Sequence, residues 1–504
     1  MADDDRTPLL CSYSSDYGYG STTEDVQGMD VQDDGEDTTD EKKMDIKRLV
    51  VLPITFLYMF SFVTAFVNVS QYEYYAIGQS IYSNWSKSSM SPSSQCQANE
   101  SRLNTEQTHV QEATAQLNIY LSLAGGIPAI FANLVFGTIS DKFGRKFMFI
   151  MPTVGSFFRC IIVLIMMYLE IDVHYLLIAS IIEGSFGYFL GMLQASYVYM
   201  ADNTTADDRR SFAMTLVEVS LGLGSFLGYL LSGYFIKSVG FLWTMLFSTG
   251  LLVFCLVMII FILPESVPSS RITAANRSCS NIVKYVGNAL SFYFKRAPGR
   301  TRWKYIFCVL VFFLTTLVLL GRPSVETLLQ LGSPFCWDPL DIGYYGTIRS
   351  GVQQVICLLV IKLLQYCMRD EAIAILGSLS ATASLVMEGF ITTDASFYIV
   401  PVVGAGGVLT MPMVRAIMSK MTPADQQGAL FAGLAALETI GNMVSSVIAN
   451  VIYNVTVDIL QGFVFFVMAA FSFLSCLLLM FFLILPQCGV KKKHYVQRED
   501  IVTV

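Results

Sequence analysis

Two charged side chains stand out because apolar sequence surrounds them. Glu218 lies in Thr215-Leu-Val-Glu218-Val-Ser220-Leu-Gly222, and Arg415 in Met413-Val-Arg415-Ala. A charge near the middle of a bilayer costs about 2.5–3.5 kcal/mol on insertion scales, so each needs a partner or a wet cavity. A carboxyl group taken out of water holds its proton to higher pH, which suits a group that collects a proton on one side and releases it on the other. An arginine in the same setting is a fixed cation for a carboxylate or an organic anion. The plain alternatives are a helix–helix ion pair for Glu218 and snorkelling to the interface for Arg415. Glu183, Glu438 and Arg322 are further charges inside apolar runs, and Glu326 lies just beyond the end of one. Arg322 and Glu326, one turn apart, fit an i,i+4 ion pair equally well. Enzyme chemistry is missing: there is no nucleophile elbow, HExxH pair or P-loop. His109, His174 and His494 lie far apart, so no metal site and no cofactor is expected.

The elements around these residues read as membrane spans. Of the 504 residues 54% are hydrophobic and 14% charged, against about 25% charged in a soluble globular chain. The net charge of −7 comes largely from an acidic N-terminus and suggests no nucleic-acid partner. Residues 1–47 read as a disordered tail. Twelve apolar runs follow, at 49–71, 117–139, 147–169, 173–199, 212–236, 241–263, 303–325, 341–366, 371–391, 396–417, 428–452 and 459–485. Runs of this length must satisfy their own backbone hydrogen bonds in lipid, which requires helices. The expected fold is therefore an all-α membrane protein with twelve transmembrane helices. The expected domains are bundles over 48–264 and 303–486, a first loop at about 72–116, a central loop at 265–302 and a tail at 487–504. Basic residues gather between spans two and three, four and five, and six and seven, and after spans eight, ten and twelve. That pattern puts both termini in the cytosol. Sequons at Asn84 and Asn99 fall in the opposite, first loop and are expected to be glycosylated.

One motif is more specific than any hydropathy profile. Gly137-Thr-Ile-Ser-Asp141-Lys142-Phe-Gly144-Arg145-Lys146 follows span two. It fits G-x-x-x-D-(R/K)-x-G-(R/K)-(R/K) and so resembles the gating signature of the major facilitator superfamily. Tyr366-Cys-Met-Arg369-Asp370 is a degraded echo in the second half. Within that superfamily the chain resembles solute carrier family 46, the proton-coupled folate transporter family. The strings that carry the resemblance are Ser333-Pro-Phe-Cys336-Trp337-Asp338, Ile342-Gly343-Tyr344, Lys362-Leu-Leu-Gln-Tyr366-Cys367, Val414-Arg415 and Gln427-Gly428-Ala-Leu-Phe431. Leu437-Glu438-Thr-Ile-Gly441 is similar to the lysosomal member.

The resemblance implies two pseudo-symmetric six-helix bundles working by alternating access. It implies proton coupling at Glu218, proton and substrate handling at Arg415, and roles for Tyr344 and for Asp202, for which a plain loop charge is an equal alternative. It also implies a disulfide between Cys96 and Cys336. One departure is Leu319, which stands where the folate transporter has a histidine, so Arg322 and Glu326 become substitutes for that proton site. The expected function is secondary transport of an organic anion or amphipathic conjugate together with protons. A plasma-membrane folate transporter is the alternative, and a transporter-like sensor or scaffold the alternative of a different class. The tail also carries Asp5-Arg6-Thr-Pro8-Leu9-Leu10, an acid followed at the fourth and fifth positions by leucines. This fits a sorting signal for a clathrin adaptor and points to late endosomes or lysosomes.

Overall fold

The computed structural model describes residues 49–82, 85, 101–203, 208–266, 302–356, 359, 361–422 and 427–484. Asp5, Leu9, Leu10, Asn84, Cys96 and Asn99 lie outside the described residues, as do the side chains of Asp141 and Lys142.

The chain is helical throughout this part. In order the α-helices are α1 (Val51–Ile81), α2 (Ser101–Phe143), α3 (Arg145–Leu169), α4 (Leu176–Ser185), α5 (Tyr188–Asp202), α6 (Asp208–Val239) and α7 (Phe241–Phe261). The second half holds α8 (Arg302–Leu331), α9 (Pro339–Val355), α10 (Ile361–Cys367), α11 (Asp370–Gly389), α12 (Asp394–Val403), α13 (Thr410–Met421), α14 (Gln427–Thr456) and α15 (Phe463–Ile484). Each half repeats one packing scheme. Helix α1 packs on α6 and α7, and α3 on α7; correspondingly α8 packs on α14 and α15, and α11 on α15. The halves meet along two further pairs, α6 with α9 and α2 with α14. These are span five against eight and span two against eleven, the pattern of a two-fold axis between two six-span bundles.

Among the described residues, eleven helical stretches are long and apolar enough to cross a membrane. The eighth expected span, 341–366, is the exception. Helix α9 has 17 residues, carries Arg349, Gln353 and Gln354, and gives way to wider, π-type turns at Ile356 and Leu359 before α10. The first loop also differs from the expected 72–116. Helix α1 runs on to Ile81 and α2 begins at Ser101. The segment 101–116 is polar yet helix-forming, and Val110, Gln111, Thr114 and Ala115 on one of its faces are buried.

Spans four and ten, equivalent in the two halves, are both broken. Helix α4 stops at Ser185 and α5 restarts after Gly187, whose φ of +96° suits glycine. Between α12 and α13 the backbone tightens into a 3-10 turn over Ala405–Leu409. Interrupted helices at matching places in two repeats are where secondary transporters build their binding sites.

Candidate functional site

Among the described residues, three groups of charged side chains lie inside the bundles. The first joins the two halves. Arg415 Nη2 on α13 donates to both oxygens of Glu438 on α14, at 2.9 and 2.8 Å. Its Nη1 lies 3.8 Å from Glu218 Oε1 on α6, and Glu218 in turn accepts from the Tyr197 hydroxyl on α5. The guanidinium is held over the Tyr197 and Phe312 rings, 5.6 and 5.4 Å from their centroids. Two acids therefore share one cation, and the Glu218 side chain, 37% exposed, is the open member. Snorkelling of Arg415 is replaced by a bound, mostly buried cation.

The second group lies within the first half. Arg159 Nε on α3 sits 3.2 Å from Glu183 Oε2 on α4. Ser156 donates to Glu183 Oε1 at 3.0 Å, and the Tyr58 hydroxyl is 3.0 Å from Ser156 Oγ. Buried Glu73 on α1 feels the field of the same arginine. Glu183 is thus two residues from the break in span four.

The third group lies within the second half. Arg322 Nη2 approaches Glu326 Oε1 at 3.4 Å and Glu388 Oε2 at 2.7 Å. Glu326 also pairs with Arg349 and accepts from the Tyr345 hydroxyl on α9. The i,i+4 pair of Arg322 and Glu326 therefore exists, inside a larger network. Tyr345 is packed between Trp337 and Phe397, with centroids 5.6 and 5.0 Å away. Trp337 is fixed by donating Nε1 to Asp394 at 2.8 Å. Tyr344, one residue along the helix, is 45% exposed and joins none of this; a shift of one position turns a helical side chain by about a quarter turn.

The gating motif occupies one end of the bundle. Gly144, with φ of +93°, ends α2 and starts α3, and a side chain on it would collide with the Glu265 carboxylate. Glu265 accepts from the Arg145 and Lys146 backbone amides at 2.6 and 3.1 Å. Arg145 Nε pairs with Asp202 Oδ2 at 2.6 Å. Asp202 therefore belongs to this latch rather than to the Glu218 group. The degraded echo keeps the same latch with its charges exchanged: Asp370, opening span nine, pairs with Lys420, closing span ten. At the far end of the molecule the halves are clamped together. Gln111 donates to the Leu328 carbonyl at 2.9 Å, Asn454 to the Glu112 carbonyl at 2.8 Å, and Lys237 Nζ lies 2.5 Å from Asp338 Oδ2.

Sequence comparison agrees with this geometry. The Major Facilitator Superfamily pattern matches residues 51–408. The human lysosomal proton-coupled steroid conjugate and bile acid symporter SLC46A3 is 30% identical over 436 residues, covering 86% of this chain and 94% of that protein. The chain belongs to the major facilitator superfamily, within its solute carrier 46 family. The rat proton-coupled folate transporter is 25% identical over 374 residues, covering 73% of this chain and 79% of its own. Among solved structures the human organic anion transporter MFSD10 aligns over 86% of this chain and 99% of its own, with TM-score 0.63 and 15% identity. At that identity it supports the fold alone. The protein is thus a superfamily transporter related to proton-coupled symporters, and not an enzyme.

Sequence reasoning missed Glu73, Arg159, Arg349 and Glu388. All four are charges within or just beyond apolar runs, so the rule that found Glu218 would have found them. Cys336 is disulfide-bonded, while Cys96 lies outside the described residues.

Proposed function

We propose that the protein is a proton-coupled symporter of organic anions or amphipathic conjugates, of the steroid-conjugate, bile-acid or peptidoglycan-fragment type. It carries them from the lysosomal lumen to the cytosol. The observation that carries this reading is the shared guanidinium of Arg415, with Glu218 from one bundle and Glu438 from the other. A proton taken up by Glu218 from the acidic side removes one of the two anions competing for Arg415. The electrostatic link between bundles weakens, the halves rock, and the proton leaves Glu218 for water on the other side. A charge link across two rigid bodies is the kind of two-state contact that alternating access needs.

In this reading the motif end and both termini are cytosolic, and the clamped end faces the lumen. Cys96 then pairs with Cys336, and Asn84 and Asn99 carry glycans on the luminal side. The tail with Asp5, Leu9 and Leu10 recruits a clathrin adaptor. The relatives' names support proton coupling and the substrate class. Leu319, which lines a cavity of the second bundle, weighs against the folate reading, because it cannot take a proton.

The test is Leu9→Ala with Leu10→Ala, which should bring the protein to the cell surface, followed by uptake of labelled organic anions at about pH 5 and about pH 7.4. Acid-stimulated uptake of steroid sulfates or bile acids is expected. Uptake of folates alone would establish the alternative, and binding without counterflow would establish a sensor.

A further inference from the structure

The network in the second bundle is larger than a structural ion pair needs to be. A cavity of about 50 Å³ lies beside it, lined among others by Arg322, Arg349, Gln353, Thr315 and Ser384, and by Gly404 and Gly407 at the break in span ten. One water needs about 10–15 Å³ of such space, so there is room for a small oxyanion group or a few waters. The hydrogen bonding around it is incomplete. Arg322 Nη2 and Glu388 Oε2 approach to 2.7 Å at an angle that makes a charge contact without a hydrogen bond. Arg322 Nε and Nη2 are buried with no hydrogen-bond partner, and the buried Glu388 carboxyl lies between Arg322 and the neighbouring Glu326 carboxyl, which compete for it. Two guanidinium groups, hydroxyls and an opened backbone around one space form a cradle for a planar or tetrahedral anion.

Building on the symporter reading, we infer that Arg322 and Arg349 form a subsite for the anionic group of the substrate, a carboxylate or sulfate, and that Glu388 is its releasable counter-ion. On the acidic side Glu388 takes a proton and lets go of Arg322, which then binds the substrate anion. On the neutral side Glu388 gives that proton to water, recaptures Arg322 and expels the anion. One proton thus moves with each anionic group, in addition to any proton carried at Glu218. The ionisable groups facing Glu388 are Arg322 and Glu326 on α8 and Arg349 and Tyr345 on α9. The other helices packed on α11 add little: α15 brings only Cys476, and the groups on α12 and α13 are engaged elsewhere. Asp394 accepts from Trp337, Tyr398 reaches the Asp341 carbonyl, Arg415 pairs with Glu438, and Lys420 with Asp370.

The experiment is equilibrium binding of labelled estrone sulfate, taurocholate and folate to the full-length protein in nanodiscs. It compares about pH 5.5 with about pH 7.5. Wild type should bind at least one probe more tightly at the acidic pH by about 5- to 150-fold, the usual span of coupling between two sites. Glu388→Gln, whose amide stands for the protonated acid, should bind tightly at both pH values and erase that ratio. Arg322→Gln should lose affinity at the acidic pH, with partial return in Arg322→Lys. A purely structural network would instead lower thermal stability and leave the ratio intact. Glu388→Gln keeping the wild-type ratio overturns the subsite alone, as does wild-type binding indifferent to pH. Wild type binding none of the three probes overturns both the subsite and the proposed substrate class.

Discussion

Closure of the far end rests on two glycines, and this makes it open to a small perturbation. Helices α6 and α9 cross at Gly233 and Gly343. A Cβ at Gly343 would lie 2.8 Å from the Tyr229 carbonyl oxygen and 3.0 Å from Gly233 Cα. One at Gly233 would lie 2.6 Å from the Pro339 carbonyl oxygen. All of these are backbone atoms, so the helices themselves must part. Overpacking of this kind costs about 1–3 kcal/mol. The cost falls only on the state in which the far end is closed, because opening separates the two helices. A coupling of that size moves a two-state equilibrium by about 5- to 150-fold. The assay is labelling of Gln330→Cys by a membrane-impermeant maleimide applied from the far side. Gln330 is 2% exposed near the far end of α8, so its labelling reports opening. Gly343→Ala should accelerate labelling within that range, and Gly233→Ala should do the same. Gly250→Ala is the control, since a Cβ there meets nothing within 4 Å. A labelling rate in Gly343→Ala equal to that of the parent, in folded protein, would show that the glycine crossing does not hold the far end closed.

Three more expectations follow from the charge groups. Arg159→Met leaves Glu183 buried without its cation, a loss of about 3–5 kcal/mol; the thermal-inactivation half-life should fall sharply, and Arg159→Met with Glu183→Met should recover most of it. Asp370→Lys with Lys420→Asp should retain transport while either single change impairs it, since only the doubled change restores the latch; equal loss in all three would show that position rather than pairing matters. Burial pushes the Asp338 carboxyl up, but Lys237 and the Leu340 and Asp341 amides outweigh it and hold Asp338 below its usual range. A depressed carboxyl keeps its stabilisation above its ordinary pKa of about 3.9 and loses it only below. The Lys237–Asp338 clamp should therefore survive at about pH 5, and Asp338→Asn should raise Gln330→Cys labelling equally there and at neutral pH.

Much of the fold was legible because lipid leaves few options for a long apolar run. The exceptions have physical causes. Segment 101–116 is polar, so hydropathy drew a loop where a helix continues beyond the bilayer. Span eight is legible at 341–366, yet it is the least apolar of the twelve, because Arg349, Gln353 and Gln354 interrupt its run. The breaks in spans four and ten were signalled by Gly187 and by Gly404, Gly406 and Gly407, but glycine is common enough in membrane helices that only the matching positions give it meaning. In the site, Glu218 and Arg415 were visible as costly charges. That Glu218 and Glu438 share Arg415 was not, since Glu218 sits in the other half of the chain and the string does not show which helices meet. The choice between Tyr344 and Tyr345 turns on helical phase, which the string alone leaves open. The Asp370–Lys420 latch was obscured because its signs are reversed relative to Arg145–Asp202.

In the proposed mechanism a proton on Glu218 loosens the link through Arg415 and so couples proton entry to solute movement. Glu218→Gln in proteoliposomes tests it most directly, because the neutral amide stands for the protonated acid and cannot cycle. Counterflow of preloaded solute should persist in this variant while a proton gradient no longer drives accumulation above the external concentration. Continued uphill accumulation by Glu218→Gln under that gradient would contradict this mechanism and move the coupling site elsewhere.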